Sequence, residues 1–184
     1  ASMEIAASCW EEIGDMRGTL SALNNVIVQQ IDLGLIDESI ATYERAAGLA
    51  TQVGTPEILL AASLNHALAL MYARRADDAV SAITTLLGQS TGARIEGYAH
   101  YVLARAHLVA GRHDAAFVAA DRAEQHLRPI PTLRPLAAAT VAEVLLARGE
   151  RERALVPARD AHTYLERGGH LEDGESYVRA VFAR

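Results

Sequence analysis

The sequence contains no lysine and only one cysteine, and aromatic residues make up 5% of its 184 residues. All 17 basic side chains are therefore arginine, and 23 acidic side chains bring the formal net charge to −6. Nucleic-acid binding draws its affinity from clustered lysine and arginine, and the sequence has no basic run, so we expect no nucleic-acid partner. The lone Cys9 excludes a disulfide within the chain and is typical of a reducing, cytoplasmic location.

Long apolar runs are also missing. The stretch 137–147 is among the longest, and polar residues interrupt it well before the ~18 apolar residues needed to cross a bilayer. The first residues lack the basic start and the uninterrupted apolar stretch of a secretory signal. We therefore expect a cytoplasmic protein with no membrane partner.

Recognisable motifs for catalysis or metal binding are absent as well. There is no glycine-rich phosphate loop with its lysine. His100 and His107 share a helix face, but seven residues span ~10 Å of axial rise, too far for both to hold one metal ion. Cys9 lies in an alanine-rich helix, where a free cysteine usually behaves as a small hydrophobic residue. The sequence predicts no enzyme, no cofactor and no metal site.

Alanine and helical periodicity dominate what is present. Alanine, the strongest helix former, occurs 36 times, and apolar residues recur at steps of three and four, as in Leu64, Leu68 and Met71. No long stretch alternates apolar and polar residues as a strand would. The predicted fold class is all-α, with helices over 3–13, 17–33, 37–53, 57–73, 76–88, 93–110, 113–127, 133–148, 151–167 and 172–183.

A period of about forty residues organises these helices. Related turn sequences are centred on positions 34, 74, 111 and 149, which lie 40, 37 and 38 residues apart. Small or apolar residues recur at fixed distances from these turns. Five residues after the turns stand Ser39, Ala79, Ala116 and Ala154; seven residues before them stand Ile27, Ala67, Ala104 and Ala142. The sequence thus predicts a helix, a tight turn and a second helix, repeated four times.

The predicted organisation is a single domain over residues 1–184. Its parts are a partial repeat at 1–15, repeats at about 16–54, 55–92, 93–131 and 132–169, and a partial repeat at 170–184. Thr55 and Pro56 form the expected start of the helix at 57. Pro157 lies inside a predicted helix and is expected to bend it or delay its start. The partial repeats suggest an array cut from a longer one.

The repeated columns resemble those of the tetratricopeptide repeat (TPR) family. The matching residues are Gly34, Gly111 and Gly149 at the turn, Ala79, Ala116 and Ala154 after it, Ala46, Ala123 and Ala161 later in the second helix, Ala67, Ala104 and Ala142 in the first helix, and the aromatic Tyr43. The period exceeds the family's usual 34 residues, and the stretch 13–25 is similar to the longer variety found in bacterial multidomain regulators and signalling proteins. The resemblance implies a right-handed superhelical solenoid of antiparallel helix pairs. It also implies a non-catalytic regulatory or docking fragment of a larger bacterial protein.

The resemblance further implies that the first helix of each pair lines a concave groove that binds a protein or peptide. The residues expected in this groove are Asn24, Asn25, Val28, Asp32, Asn65, Met71, Tyr72, Tyr98, Tyr101, Arg105, Thr140 and Glu143. Asparagine can offer a donor and an acceptor to a peptide backbone, and tyrosine and arginine are frequent interface anchors. Because lysine is absent, the family's lysine-dependent clamp for a terminal carboxylate is not expected.

Other interpretations remain open. Leu68 and Leu108 lie on apolar stripes and fit the core better than a groove. Tyr98, Tyr101 and Arg105 equally fit a solvated face with a local tyrosine–arginine stack. The chain could also associate with itself through apolar faces at the open ends of the array. A further alternative is a small-ligand sensor whose pocket is lined by Tyr72, Tyr98, Tyr101 and Arg105.

Overall fold

The computed structural model describes residues 2–54, 59–89, 92–172 and 174–184. The chain divides into two compact units, residues 1–88 and 89–184. The described ranges contain ten α-helices and no strand, so the all-α prediction is confirmed. None of these helices combines the length and the apolar character that crossing a bilayer requires.

The first unit contains five helices that pack in chain order. They are α1 (Ser2–Glu12), α2 (Met16–Asp32), α3 (Ile36–Val53), α4 (Leu60–Tyr72) and α5 (Ala76–Leu87). Each packs against the next, and α2 also contacts α4. One core cluster is built from Ala7, Leu20, Leu23, Ala46 and Ala50. The predicted helix start at Thr55, Pro56 and residue 57 lies outside the described residues.

The second unit also contains five helices. They are α6 (Ala93–Val109), α7 (His113–Leu127), α8 (Arg134–Ala147), α9 (Arg151–Glu166) and α10 (Glu175–Phe182). The helices α6 to α9 pack in chain order, and α8 also contacts α6. The last helix, α10, packs against both α8 and α9. In each unit, therefore, a helix that follows a pair contacts both members of that pair.

Alanines at the predicted columns form the helix contacts. Ala104 and Ala116 are fully buried in one cluster of the second unit, and Ala142 and Ala154 are buried in another. An alanine projects only a methyl group from the backbone, so two helices that meet at alanines approach closely. The spacing of these residues thus fixes which faces of neighbouring helices pack together.

The four predicted turns share one backbone geometry. Their central residues are in the left-handed region, with φ values of 75°, 63°, 70° and 78° at Gly34, Arg74, Gly111 and Gly149. The amide of the next residue then bonds to a carbonyl five residues earlier, as from Arg75 to Leu70 at 2.9 Å. This is the Schellman pattern that ends many helices. It gives each predicted helix pair the same turn.

Two helices depart from the sequence-based expectation. Pro157 does not delay α9, which begins at Arg151 and continues through the proline to Glu166. The tenth helix begins at Glu175 instead of 172, after Gly174 with its left-handed φ of 78°. Before this start, Glu172 accepts a hydrogen bond from the Thr132 hydroxyl at 2.5 Å and forms an ion pair with Arg94.

Candidate binding surfaces

Helix α2 presents a polar face to solvent. Asn25, Val28 and Asp32 are all exposed, and their spacing of three and four residues places them on one side of α2. The described contacts include no hydrogen bond or ion pair of the Asn25 or Asp32 side chain. Both side chains are therefore available to a partner of this face.

A pair of asparagines connects this face to α4. The Nδ2 atom of Asn65 donates a hydrogen bond to Oδ1 of Asn24 at 3.0 Å, and both side chains are half-buried. A side-chain amide has donor hydrogens on its nitrogen and an acceptor oxygen. The bond between the two leaves Nδ2 of Asn24 as a donor and Oδ1 of Asn65 as an acceptor.

The remaining α4 residues expected in the groove differ in exposure. Met71 is buried, which is a correction to its predicted place in the groove: α4 buries an almost continuous run of apolar residues, and Met71 belongs to it. Leu68 is also buried, as its apolar stripe predicted. Tyr72 is exposed at the end of α4 and has further interactions of its own.

In the second unit, three predicted residues of α6 meet. The Arg105 guanidinium donates to the Tyr101 hydroxyl at 2.8 Å, and the Tyr98 and Tyr101 rings contact each other edge to face with centroids 5.1 Å apart. A contact between tyrosine and arginine is therefore present, as the alternative of a local stack supposed. Tyr101 is only 3% exposed, however, so its ring is packed inside the protein, which corrects both its predicted place in the groove and the alternative of a solvated face.

Helix α10 joins these residues to α8. The Tyr177 hydroxyl donates to Oε2 of Glu143 at 2.9 Å, and Arg184 donates to Oε1 of the same carboxylate at 2.8 Å. The Arg105 guanidinium lies 4.5 Å from the centroid of the Tyr177 ring, a distance at which the cation is attracted to the ring face. We call Tyr101, Arg105, Glu143, Tyr177 and Arg184 the tyrosine–arginine cluster.

Thr140 lies next to this cluster and is buried, which corrects its predicted place in the groove. Its side chain is fully buried and bonds to the carbonyl of Leu136 at 2.8 Å, with the Tyr177 hydroxyl 3.5 Å away. Burial raises the pKa of Tyr177 well above its ordinary value, and the Glu143 carboxylate raises it further. The hydroxyl therefore keeps its proton at neutral pH and acts as the donor to Glu143.

Sequence reasoning did not include Tyr177 or Arg184 among the site residues. The partial repeat at the end of the sequence could have identified them, because its helix corresponds to the first helix of a further pair. Within each unit, the first helix of a pair contacts the first helix of the preceding pair, as α10 contacts α8. Extending the column assignment into α10 would have placed Tyr177 near Thr140 and Glu143.

Histidines do not come together as a metal site. His66 stacks on Tyr43 with centroids 4.0 Å apart, and His100 stacks on His126 at 5.8 Å. Burial is the main cause that lowers the pKa of both His66 and His100. Within the described ranges, no group of three or more His, Cys, Asp and Glu side chains is arranged to hold a metal ion.

Comparison with known proteins adds no family assignment. No protein-family model matches the sequence, and no curated protein matches it. A function for the chain therefore has to be argued from its own surfaces.

Proposed function

We propose that this chain is a TPR-like, non-catalytic module that binds a peptide segment of another protein. The proposed binding surface in the first unit is the α2 face, defined as Asn24, Asn25, Val28, Asp32 and Asn65. The observation that carries the proposal is the hydrogen bond between Asn65 and Asn24. It leaves the Asn24 amide nitrogen as a donor and the Asn65 amide oxygen as an acceptor, next to exposed side chains that have no hydrogen bond or ion pair among the described contacts.

The repeat organisation supports this proposal. Both units pack a following helix onto both members of the preceding pair, and each of the four predicted turns has a residue with a left-handed φ at its centre. Buried alanines stand at matching distances from three of these turns, at 74, 111 and 149. These features are expected of a right-handed solenoid of helix pairs, in which the first helices line the binding surface.

The chemistry of the α2 face favours an extended peptide with a basic residue. A peptide group carries one donor and one acceptor, which match Oδ1 of Asn65 and Nδ2 of Asn24. Val28 is 38% exposed and offers apolar contact. Asp32 supplies the negative charge of this surface and would attract an arginine or lysine of the peptide.

In the second unit, side chains of the first helices already hold a segment of the chain, although that segment is a helix and not an extended peptide. The first-helix residues Arg105 and Glu143 bind α10 through Tyr177 and Arg184, so faces of this kind hold a helix within the protein itself. These contacts engage side chains that the small-ligand alternative would require. We therefore place the peptide site on the α2 face, and the sensor alternative stays a prediction.

The test uses a displayed library of random peptides selected on the intact chain. We expect peptides with a basic residue to be enriched, and Asn25→Ala to weaken the binding of a selected peptide about fivefold, because a hydrogen bond contributes about 1 kcal/mol. Asn65→Ala should weaken it further by removing the acceptor of the asparagine pair. Fluorescence anisotropy of a labelled peptide measures both effects.

Gln52→Ala is the matched control, since Gln52 has an exposed side-chain amide on α3 and is not one of the residues of the α2 face. This variant should bind the peptide normally. A Tyr101→Ala variant would not test peptide binding, because the Tyr101 ring is buried and its removal would disturb folding. Equal affinity of the wild type and the Asn25→Ala and Asn65→Ala variants would contradict the proposed site, as would a library that yields no binding peptide.

A further inference from the structure

The close approach of α6 and α7 brings two histidine rings together. Gly97 lies inside α6, and a Cβ atom built there would lie 2.5 Å from Cδ2 of Leu127 and 2.9 Å from Cβ of His126. Glycine weakens a helix interior relative to alanine, but here the missing side chain lets the end of α7 lie directly on α6. His126 thereby stacks on His100, with ring centroids 5.8 Å apart and an angle of 26° between the ring planes.

The two rings differ in their partners. Nδ1 of His126 lies 3.7 Å from the Glu96 carboxylate, so a positive charge on His126 would face a negative one. Nδ1 of His100 is buried and has no hydrogen-bond partner among the described residues. A protonated His100 would therefore hold its Nδ1–H in a buried position without an acceptor, which costs free energy.

The groups around His100 oppose its protonation on balance. Burial is the largest cause that lowers the pKa of His100, and His126 and Arg122 of α7 lower it further. Glu96, on the same helix as His100, raises the pKa and only partly offsets these causes. The folded chain thus favours a neutral His100.

Helix α8 also packs against α6. Its ionisable side chains, Arg134 and Glu143, are engaged with α9 and α10 instead of His100. Within the second unit, the charges that act on His100 therefore come from α6 and α7.

The lowered pKa of His100 gives the sign of the pH effect. The unfolded or opened chain binds a proton at this ring near the ordinary pKa of about 6.5, whereas the closed structure binds it only at lower pH. The stability that the neutral ring contributes is therefore complete above this ordinary value, and it is lost as the pH falls toward the lowered value.

Opening of this contact would expose apolar surface. Leu127, the last residue of α7, is fully buried and packs with Leu133 and Ala137 in one core cluster. The same residue lies against Gly97 of α6. Separation of the end of α7 from α6 would thus uncover one side of this cluster.

We propose that the stacked rings of His100 and His126 form an acid-sensitive latch between α6 and α7. The latch is closed while His100 is neutral; it opens when His100 is protonated, and the end of α7 then separates from α6 and exposes Leu127. The latch involves neither Asn25 nor Asn65, so it can fail or succeed independently of peptide binding by the α2 face.

Hydrogen exchange of the α7 amides, followed by NMR on the intact chain, tests the latch. After correction for the intrinsic exchange rate at each pH, the protection of the amides near Leu127 gives the equilibrium constant for opening. We expect this constant to rise between pH 7.5 and pH 5.5, by at most about tenfold, the limit for one histidine of ordinary pKa. His100→Phe, which keeps a ring and removes the titrating group, should lose this rise.

His113→Gln is the matched control, because His113 is an exposed histidine of α7 and is not one of the residues of the latch. This variant should show the same rise of the opening constant as the wild type. Circular dichroism at pH 7.5 should be the same for the wild type and both variants.

An NMR titration of the His100 ring provides a second measurement, which does not require the His100→Phe variant to fold. The pKa of His100 in the wild type should lie below its ordinary value. His126→Phe removes a neighbouring positive charge and should raise this pKa, whereas Glu96→Gln removes a negative charge and should lower it further. A purely structural role of the two rings does not predict these opposite shifts.

Three results would overturn the proposal. The first is an opening constant of the wild type that is the same at pH 7.5 and pH 5.5. The second is a rise in His100→Phe as large as that in the wild type. The third is a pKa of His100 that is not lowered in the wild type, or that changes in neither His126→Phe nor Glu96→Gln.

Discussion

Arg74 occupies a backbone position that glycine fills in the equivalent turns at 34, 111 and 149. Its φ of 63° is left-handed, and a side chain in that conformation costs about 1 to 2 kcal/mol because its Cβ crowds the backbone. We expect Arg74→Gly to stabilise the protein by about 0.5 to 1 kcal/mol, after allowance for the greater freedom of glycine in the unfolded chain. Thermal and urea unfolding measure the change.

Arg74→Ala separates this backbone effect from the loss of charge. Arg74 is exposed, and alanine retains the strain of the left-handed conformation, so this variant should gain much less than Arg74→Gly. Gly111→Ala should lose a similar amount, since it introduces the strain that Arg74 now carries. Equal stability of Arg74→Gly and Arg74→Ala would show that the left-handed backbone carries no penalty here.

The residues of the candidate site were only partly predictable. The side chains of Asn25 and Asp32 are exposed as expected, because a polar residue on the outer side of an amphipathic helix remains in water. Tyr101 and Thr140 are buried, and α10 packs over this region through Tyr177. Sequence columns give the side of a helix on which a residue lies, but they do not reveal which later helix covers it.

Helix α8 depends on Ala142 for its contact with α9. Ala142 is fully buried in a cluster with Ala154, Ala158 and Ala161, and a close-packed interior does not accommodate a much longer side chain without displacement. We expect Ala142→Arg to destabilise the second unit by about 3 kcal/mol or more, through overpacking and burial of an unpaired charge. Circular dichroism during thermal unfolding measures the effect.

Ala147→Arg provides the control on the same helix. Ala147 is exposed, so this variant adds the same side chain and charge without entering the core. Its melting temperature should stay close to that of the wild type. An unchanged melting temperature of Ala142→Arg would mean that the assigned repeat columns are wrong.

Helix α9 illustrates why element boundaries were easier to predict than the effect of a single residue. Pro157 removes one backbone donor and conflicts with the preceding turn, which led to the expectation of a bend or a late start. The helix nevertheless begins at Arg151, because Ala154 and Ala158, on either side of the proline, both pack into the core with α8. Such packing stabilises a helix more than local propensity does.

At the scale of the whole molecule, helical periodicity predicted the helices and the packing of neighbouring helices in chain order, whereas the right-handed solenoid stays a prediction. The ten helices of the described residues were anticipated, because apolar steps of three and four residues repeat throughout the chain and glycine marks most of the turns. The division at residue 88 was not anticipated, although it lies close to the predicted end of the second repeat at 92. The repeated columns have the same form on both sides of this position and therefore do not indicate a boundary.

This division leads to a prediction about fragments. Each unit has apolar clusters formed by its own helices, around Leu20 and Leu23 in the first unit and around Leu145 and Val178 in the second. We expect residues 1–88 and residues 89–184, expressed separately, to be helical and to unfold cooperatively. Circular dichroism and thermal unfolding of the two fragments measure this.

A fragment of residues 111–184 is the matching control. It lacks α6, which packs against α7, and so exposes the alanines of α7 that are buried in the complete unit, Ala116, Ala119 and Ala120. This shorter fragment should lose cooperative unfolding, whereas residues 89–184 retain it. If both behave alike, α6 contributes little to the second unit, and the cluster around Ala104 and Ala116 is not needed for its stability.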